Sequence, residues 1–314
     1  MSEKCCKIKT MIGGQALIEG IMMRGPDKTA TVLLKSDGSH VCREKEYIPP
    51  KKKCFLFGWP IIRGVAAFVG SIGGGMSELL WSADNVEVAE EEEPSKFDAW
   101  IEKKFGMEKA QKFLMGFAVA LGILLPIGLF ILLPSLITDL IAPIFPNVAL
   151  RALSEGVLKI AIFLIFLWLS SRMGEMKRLY AFHGAEHKTI HCYEAGEELT
   201  VENVRRHTRR HPRCGTSFLF VVILISVLVY SFIRIENVWL RMVLRIALLP
   251  LVVGISYEFN RLVGRYDNFL TKLLRLPGIA LQGITTNEPD DDMIAVAIDA
   301  LERVIPEEKG ADRW

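Results

Sequence analysis

Polar and apolar positions separate into long blocks along this chain, and the blocks predict its elements. Residues 113–137 contain no charge over 25 positions and 216–233 none over 18, lengths that a helix needs to cross a bilayer core of about 30 Å. Residues 148–171 and 238–257 carry Arg151, Glu155 and Lys159, or Arg241 and Arg245, near one end and still read as spans. The expected fold is mainly α, a polytopic membrane protein with about four transmembrane helices, two within 113–171 and two within 216–257. Pro126 and Pro134 do not disqualify the first span, because neighbouring helices and local backbone adjustment re-satisfy the groups they free.

Outside those blocks the pattern changes. Residues 29–34 and 41–48 flank the turn cluster Ser36-Asp37-Gly38-Ser39 and predict a hairpin in a small β-rich cytoplasmic unit over 1–54. Residues 55–82 are apolar and Gly-rich, a helix expected in the interface, re-entrant, or in the core over the β-unit. An acidic linker and amphipathic segment fill 83–112. The tail, 258–314, ends in an amphipathic helix over 293–304 that is expected to dock on the cytoplasmic domain.

The 314 residues are 51% hydrophobic and 24% charged with a net charge of +2, and it is the segregation of the apolar residues that excludes a fully soluble enzyme or a disordered chain. Lys and Arg are absent from 138–150 but number nine in 171–215, so the positive-inside rule predicts a cell-membrane protein with both termini and the central loop cytoplasmic. No cleavable signal peptide is expected at the amino end. All six cysteines fall on the predicted cytoplasmic side, where ligand or free-thiol roles are expected rather than disulfides.

Five of the six histidines lie in the loop 172–215. His183, His187 and His191 recur at four-residue steps on a predicted helix from 173 to 195 capped by Gly196, which puts their rings on one face. His183-Gly184-Ala185-Glu186-His187 has the HxxEH spacing in which two histidines bind zinc and the glutamate is the general base. His207, His211 and Cys214 follow on or just after a helix expected from Thr200 to Pro212, and Cys192 is a further candidate, more donors than one ion needs. Zinc is the expected metal, in one site with supporting partners or in two. Two other readings stand beside it. Arg205, Arg206, Arg209, Arg210 and Arg213 suit contact with membrane lipid headgroups or a protein partner, whereas nucleic acid is disfavoured by the lack of interleaved aromatics.

Four separated stretches, 13–26 (GGQALIEGIMMRGP), 182–188 (FHGAEHK), 211–218 (HPRCGTSF) and 285–291 (TTNEPDD), together resemble the bacterial YqhQ family over nearly the whole chain. The resemblance implies a multi-pass membrane protein, described as a predicted metal-dependent enzyme, and supplies no substrate. In the first stretch the glycines suit turns or close backbone approach. Glu19 is a candidate acid or ligand, or else pairs with Arg24 to fix the β-unit.

Within the spans, Glu155 is expected to pair with Arg245, as a clamp or as part of a transport pathway. The function expected from the sequence is a metal-dependent hydrolase at the membrane, with Glu186 as general base. The alternatives are a non-enzymatic scaffold or biogenesis factor, and a transporter.

Overall fold

The computed structural model of the chain describes residues 8–86, 107–141, 148–233, 235, 237–308 and 310–313. The acidic run at 87–94, Cys5 and Cys6 lie outside the described residues. The chain forms two compact units, one comprising Met1–Glu87, Phe166–Ser226 and Leu248–Trp314, the other Val88–Ile165 and Val227–Ala247.

In the first unit, β1 (Gly13–Leu17), β2 (Gly20–Arg24), β3 (Lys28–Leu34) and β4 (His40–Glu46) form an antiparallel meander in that order. The expected hairpin is β3–β4, closed where the Asp37 carboxylate accepts the Ser39 amide at 2.8 Å and Gly38 takes φ +79°. The Gly-rich stretch before it pairs as β1 and β2, with Glu19 at φ +49° in the connection and with Gly14 and Gly20 at close backbone approaches. Alternation sorts the sheet residues: Ile21, Met23, Ala30 and Val32 enter one core, while Leu17, Met22 and Leu33 enter another on the opposite face.

The first core is completed by α6 (Gly174–Glu194) and α11 (Asp291–Glu302), which contribute Phe182, Ala185 and Ile190, and Ile294, Ala297 and Leu301. Asp290 caps α11 by accepting the Met293 amide at 2.9 Å. The other face is covered by the end of α2 (Ile62–Asn85), which follows the short α1 (Pro50–Lys53) and a 3-10 turn, Phe55–Gly58. Buried Glu78 of α2 accepts the Thr31 hydroxyl at 2.9 Å and pairs with Lys45. The end of α2 therefore packs on the sheet, whereas Val69 and Ile72 nearer its start are exposed.

Helix α7 (Val201–Arg205) is shorter than the helix expected to run to Pro212. The backbone of His211 is claimed elsewhere. Its N–H donates to Gln282 Oε1 at 2.7 Å and its carbonyl accepts from Gln282 Nε2 at 2.8 Å, so His207 and His211 lie in a loop. Gln282 belongs to α10 (Phe269–Thr285).

The apolar blocks are helical: α3 (Met107–Ile127) and α4 (Leu133–Leu140) joined by a π-helical turn at Gly128–Leu132, then α5 (Val148–Ser170), α8 (Gly215–Ser231) and α9 (Val238–Arg265). The π turn sits directly before Pro134, where the Leu133 amide reaches back to Gly128 and makes room for the proline ring. Among the described residues three helices are long and apolar enough to cross a membrane: Gly116–Leu140, Leu150–Ser170 and Val238–Arg265. Helix α8, with 17 residues, extends only about 25 Å.

In the second unit, Arg245 holds Glu155 through both guanidinium ends, at 2.7 and 2.8 Å. Lys159 joins them 3.0 Å from Glu155, and its ammonium lies 4.9 Å from the centre of the Tyr230 ring. Arg241 pairs with Asp139 and contacts the Ile235 carbonyl at 3.1 Å.

Candidate metal centre

His183, His187, His191 and Glu194 recur along α6 at steps of four, four and three residues, with Glu186 three after His183, so one side of the helix presents three imidazoles and two carboxylates. The loop 206–214 lies against this face. Its approach divides the expected ligands, joined by Glu194 and Glu197, into three groups: His183, His187 and Cys214; His191, Glu194 and His211; Cys192, Glu197 and His207. Within each group the donor atoms lie within 4.8 Å of one another.

The first group is one whose donors could hold a metal ion. His183 Nδ1 lies 2.8 Å from the Thr285 carbonyl and His187 Nδ1 2.7 Å from the Arg209 carbonyl. A carbonyl only accepts, so both Nδ1 atoms carry the proton and both Nε2 atoms keep a lone pair. Such backbone bonds orient metal-binding imidazoles. His183 Nε2 lies 3.2 Å from Cys214 Sγ. Burial opposes ionisation of Cys214, but His187 and His183 prevail and hold the thiol well below its ordinary pKa. Burial also opposes charge on His183, yet Cys214 and Glu186 beside it bring its pKa up to about 9. A thiolate and two imidazoles are borderline-soft donors suited to zinc, and a three-ligand set leaves a fourth position open, so the residues fit the ion.

Glu186 is buried next to these groups, and its Oε1 accepts the Gly14 amide at 2.9 Å. Burial raises its pKa, against the pull of His183 and His187. The bond from Gly14 needs a glycine, since a Cβ there would stand 2.8 Å from the Met22 carbonyl oxygen and 3.0 Å from the Glu186 carboxyl carbon.

The donors of the second group are engaged with protein. Glu194 accepts the Thr10 amide at 2.8 Å, pairs with Arg213, and lies 3.4 Å from His211 Nε2. Burial works against the Glu194 charge, but these donors lower its pKa to about 2, while burial lowers His211 to about 3. His211 is therefore a neutral donor to a carboxylate. His191 Nε2 donates to the Arg210 carbonyl at 2.9 Å. In the third group, His207 lies 3.2 Å from Glu197, and Cys192 donates to the Glu198 carbonyl at 3.5 Å.

Glu19 is in none of these groups: its carboxylate pairs with Arg178 on α6, while Arg24 stands over the Tyr47 ring at 5.3 Å. Of the loop arginines, Arg205 pairs with Asp291, Arg206 with Glu202, Arg209 with Glu288 and Arg213 with Glu194, and Arg210 contributes its carbonyl to His191. The sequence reading missed Glu194 and Gln282. For Glu194 a signal existed, three residues after His191 on the same face; for Gln282 none did.

The four stretches that carried the resemblance meet around α6. Gly14 reaches Glu186, Cys214 reaches His183, and the Asn287 amide donates to the Tyr180 carbonyl at 2.8 Å. Helices compatible with a membrane, a small antiparallel sheet and a His/Cys/Glu cluster between one helix and the loop against it define the class. The family described as "Protein of unknown function (DUF1385)" matches residues 59–307. The chain is 32% identical over 302 residues to "Uncharacterized protein YqhQ" of Bacillus subtilis (strain 168), covering 95% of this chain and 93% of that protein. The chain belongs to this YqhQ family. No solved structure matches it.

Proposed function

We propose that the chain is a multi-pass protein of the cell membrane whose cytoplasmic face carries a zinc-dependent hydrolytic site, held by His183, His187 and Cys214, with Glu186 as the proton-transferring carboxylate. The observation that carries this reading is the convergence of those three donors within 4.8 Å. The orientation rests on nine Lys and Arg in 171–215 against none in 138–150. A fourth crossing by α8, at the short end of the spanning range, keeps both termini cytoplasmic.

A bound ion supplies Lewis acidity toward a carbonyl or phosphoryl oxygen at the open position. The chain's own residues do the rest. Gly14 fixes Glu186 through Oε1, leaving Oε2 to take a proton from water and return it to the leaving group. Thr285 and Arg209 hold the two imidazoles by their carbonyls. Glu194, His211, Arg213 and Gln282 brace the loop that delivers Cys214. The substrate class is an acyl or phosphoryl bond near the membrane, in a lipid headgroup, a phosphoester or a peptide.

The test is a screen of the detergent-purified chain against acyl and phosphoryl ester reporters, with Glu186→Gln beside it. The variant is expected to keep its metal and lose turnover by about 10²- to 10⁴-fold. Turnover retained with metal retained contradicts the role of Glu186.

The buried Glu155, Lys159 and Arg245 cluster favours a second reading, a transporter. In that case Glu155→Gln changes flux in proteoliposomes while leaving metal content alone.

A further inference from the structure

A large apolar surface of the first unit belongs to no helix long and apolar enough to cross a membrane. Helix α10 buries Thr271, Gly278, Leu281, Gln282 and Thr285. Its opposite side exposes Phe269 (84%), Leu270, Leu273 (50%), Leu274 and Leu276. In the 3-10 turn and just after it, Phe55 (72%), Phe57 and Trp59 (54%) are exposed as well. Exposed patches of this kind mark an interaction surface.

Both elements attach to the same end of α9. On one side, Ile61 packs against Gly254 and donates its amide to Glu258 at 3.3 Å, with Arg63 pairing to Glu258. On the other, α10 starts four residues after Arg265, and Arg275 Nε donates back to the Val263 carbonyl at 3.2 Å. Helix α9 has 28 residues, about 42 Å, against a hydrocarbon core of about 30 Å. The excess of about 12 Å is the length of its last two turns, the segment that both elements flank.

The charge around this end is positive. Lys51, Lys52 and Lys53 end one residue before the aromatic turn, with Lys52 3.8 Å from Asp27, and Arg261 and Arg265 end α9, all exposed. The acids nearby are paired, Glu258 with Arg63 and Asp267 with Arg275. An apolar helix face and aromatic turn ringed by Lys and Arg at the end of a span have the composition of an element lying in the membrane interface.

We propose that α10 and the Phe55–Gly58 turn lie in the headgroup–acyl boundary of an anionic phospholipid bilayer, on either side of the protruding end of α9. The occupant of this surface is lipid. The inference is independent of metal binding, but it bears on the site, because α10 runs from Phe269 in the lipid to Gln282 and Thr285, which hold His211 and His183. The 17 residues of α10 span about 25 Å, so the histidine cluster sits near the bilayer surface, within reach of membrane-held substrates.

The test uses the full chain in nanodiscs, with Cys42, Cys54 and the two amino-terminal cysteines replaced by serine. One nitroxide is then placed through F57C, F269C, L273C or L276C, and a control through E302C on α11. Collision with oxygen and with a water-soluble nickel chelate reports immersion whether or not metal is bound. In discs containing phosphatidylglycerol, the four labels are expected to be oxygen-accessible and nickel-shielded, and the control the reverse. Replacing the lipid with phosphatidylcholine is expected to raise nickel collision at all four several-fold. Nickel access at the four sites equal to the control overturns the proposal, as does shielding from both reagents, which signals protein packing. Accessibility unchanged between the two lipids overturns the anionic requirement.

Discussion

Cys214 Sγ lies 3.2 Å from Nε2 of His183, although 31 positions separate them in the chain. The contact depends on the loop 206–214 being laid along α6, and it brings the Cys214 sulfur into one group with the His183 and His187 imidazoles, whose proximity lowers the thiol's pKa against burial. Cobalt substituted into the chain is expected to show a thiolate-to-metal charge-transfer band in the near ultraviolet. Cys214→Ser should lose that band and Cys192→Ser should keep it. A band that survives the first change would remove Cys214 from the ligand set.

Gly184 lies where α6 meets the loop after α10, and a Cβ at this position would strike the Asn287 carbonyl. Backbone is a poor partner for such a clash. Gly184→Ala is expected to destabilise the chain by about 1–3 kcal/mol, a typical overpacking loss. Thermal unfolding in detergent checks this, and an unchanged midpoint would mean that the loop yields without loss.

Glu155 and Arg245 are both buried and doubly bonded to each other. Removing one partner strands a buried charge, so Arg245→Met is expected to destabilise by about 3–5 kcal/mol, and the Glu155→Leu, Arg245→Met double variant by distinctly less. Lys159 beside the carboxylate moderates the difference, because it remains to pair when Arg245 is removed. Denaturant midpoints in the same detergent decide it. Additive losses would show that the two side chains do not act as a pair.

Glu194 has a folded-state pKa near 2, below its ordinary value of 4.5, because His211 and Arg213 outweigh the effect of burial. A depressed carboxylate contributes stability that is fully present above pH 4.5 and lost as pH falls toward 2. Glu194→Gln is therefore expected to flatten the fall in melting temperature between those two values and to lower stability near neutrality. Parallel acid profiles of the variant and the unaltered chain would contradict the role given to Glu194.

The apolar helices and the histidine helix were legible because both follow helical or block periodicity: 148–171 corresponds to α5, and His183, His187 and His191 share a face of α6. The β3–β4 hairpin was legible from its turn residues. The strands β1 and β2 were not, because glycines and Gln15 interrupt the apolar pattern of that stretch. The division of donors into three groups was also hidden. It is decided by long-range contacts, Gln282 capturing the His211 backbone and Glu19 being taken by Arg178 rather than Arg24, which no local spacing encodes.

Whether His183, His187 and Cys214 hold an ion is decided by elemental analysis of the chain purified in detergent without chelators, beside a His183→Ala, His187→Ala double variant. About one zinc per chain is expected, lost in the double variant. No transition metal in the unaltered chain, or equal metal in both, would contradict the metal site and turn the reading toward a membrane scaffold.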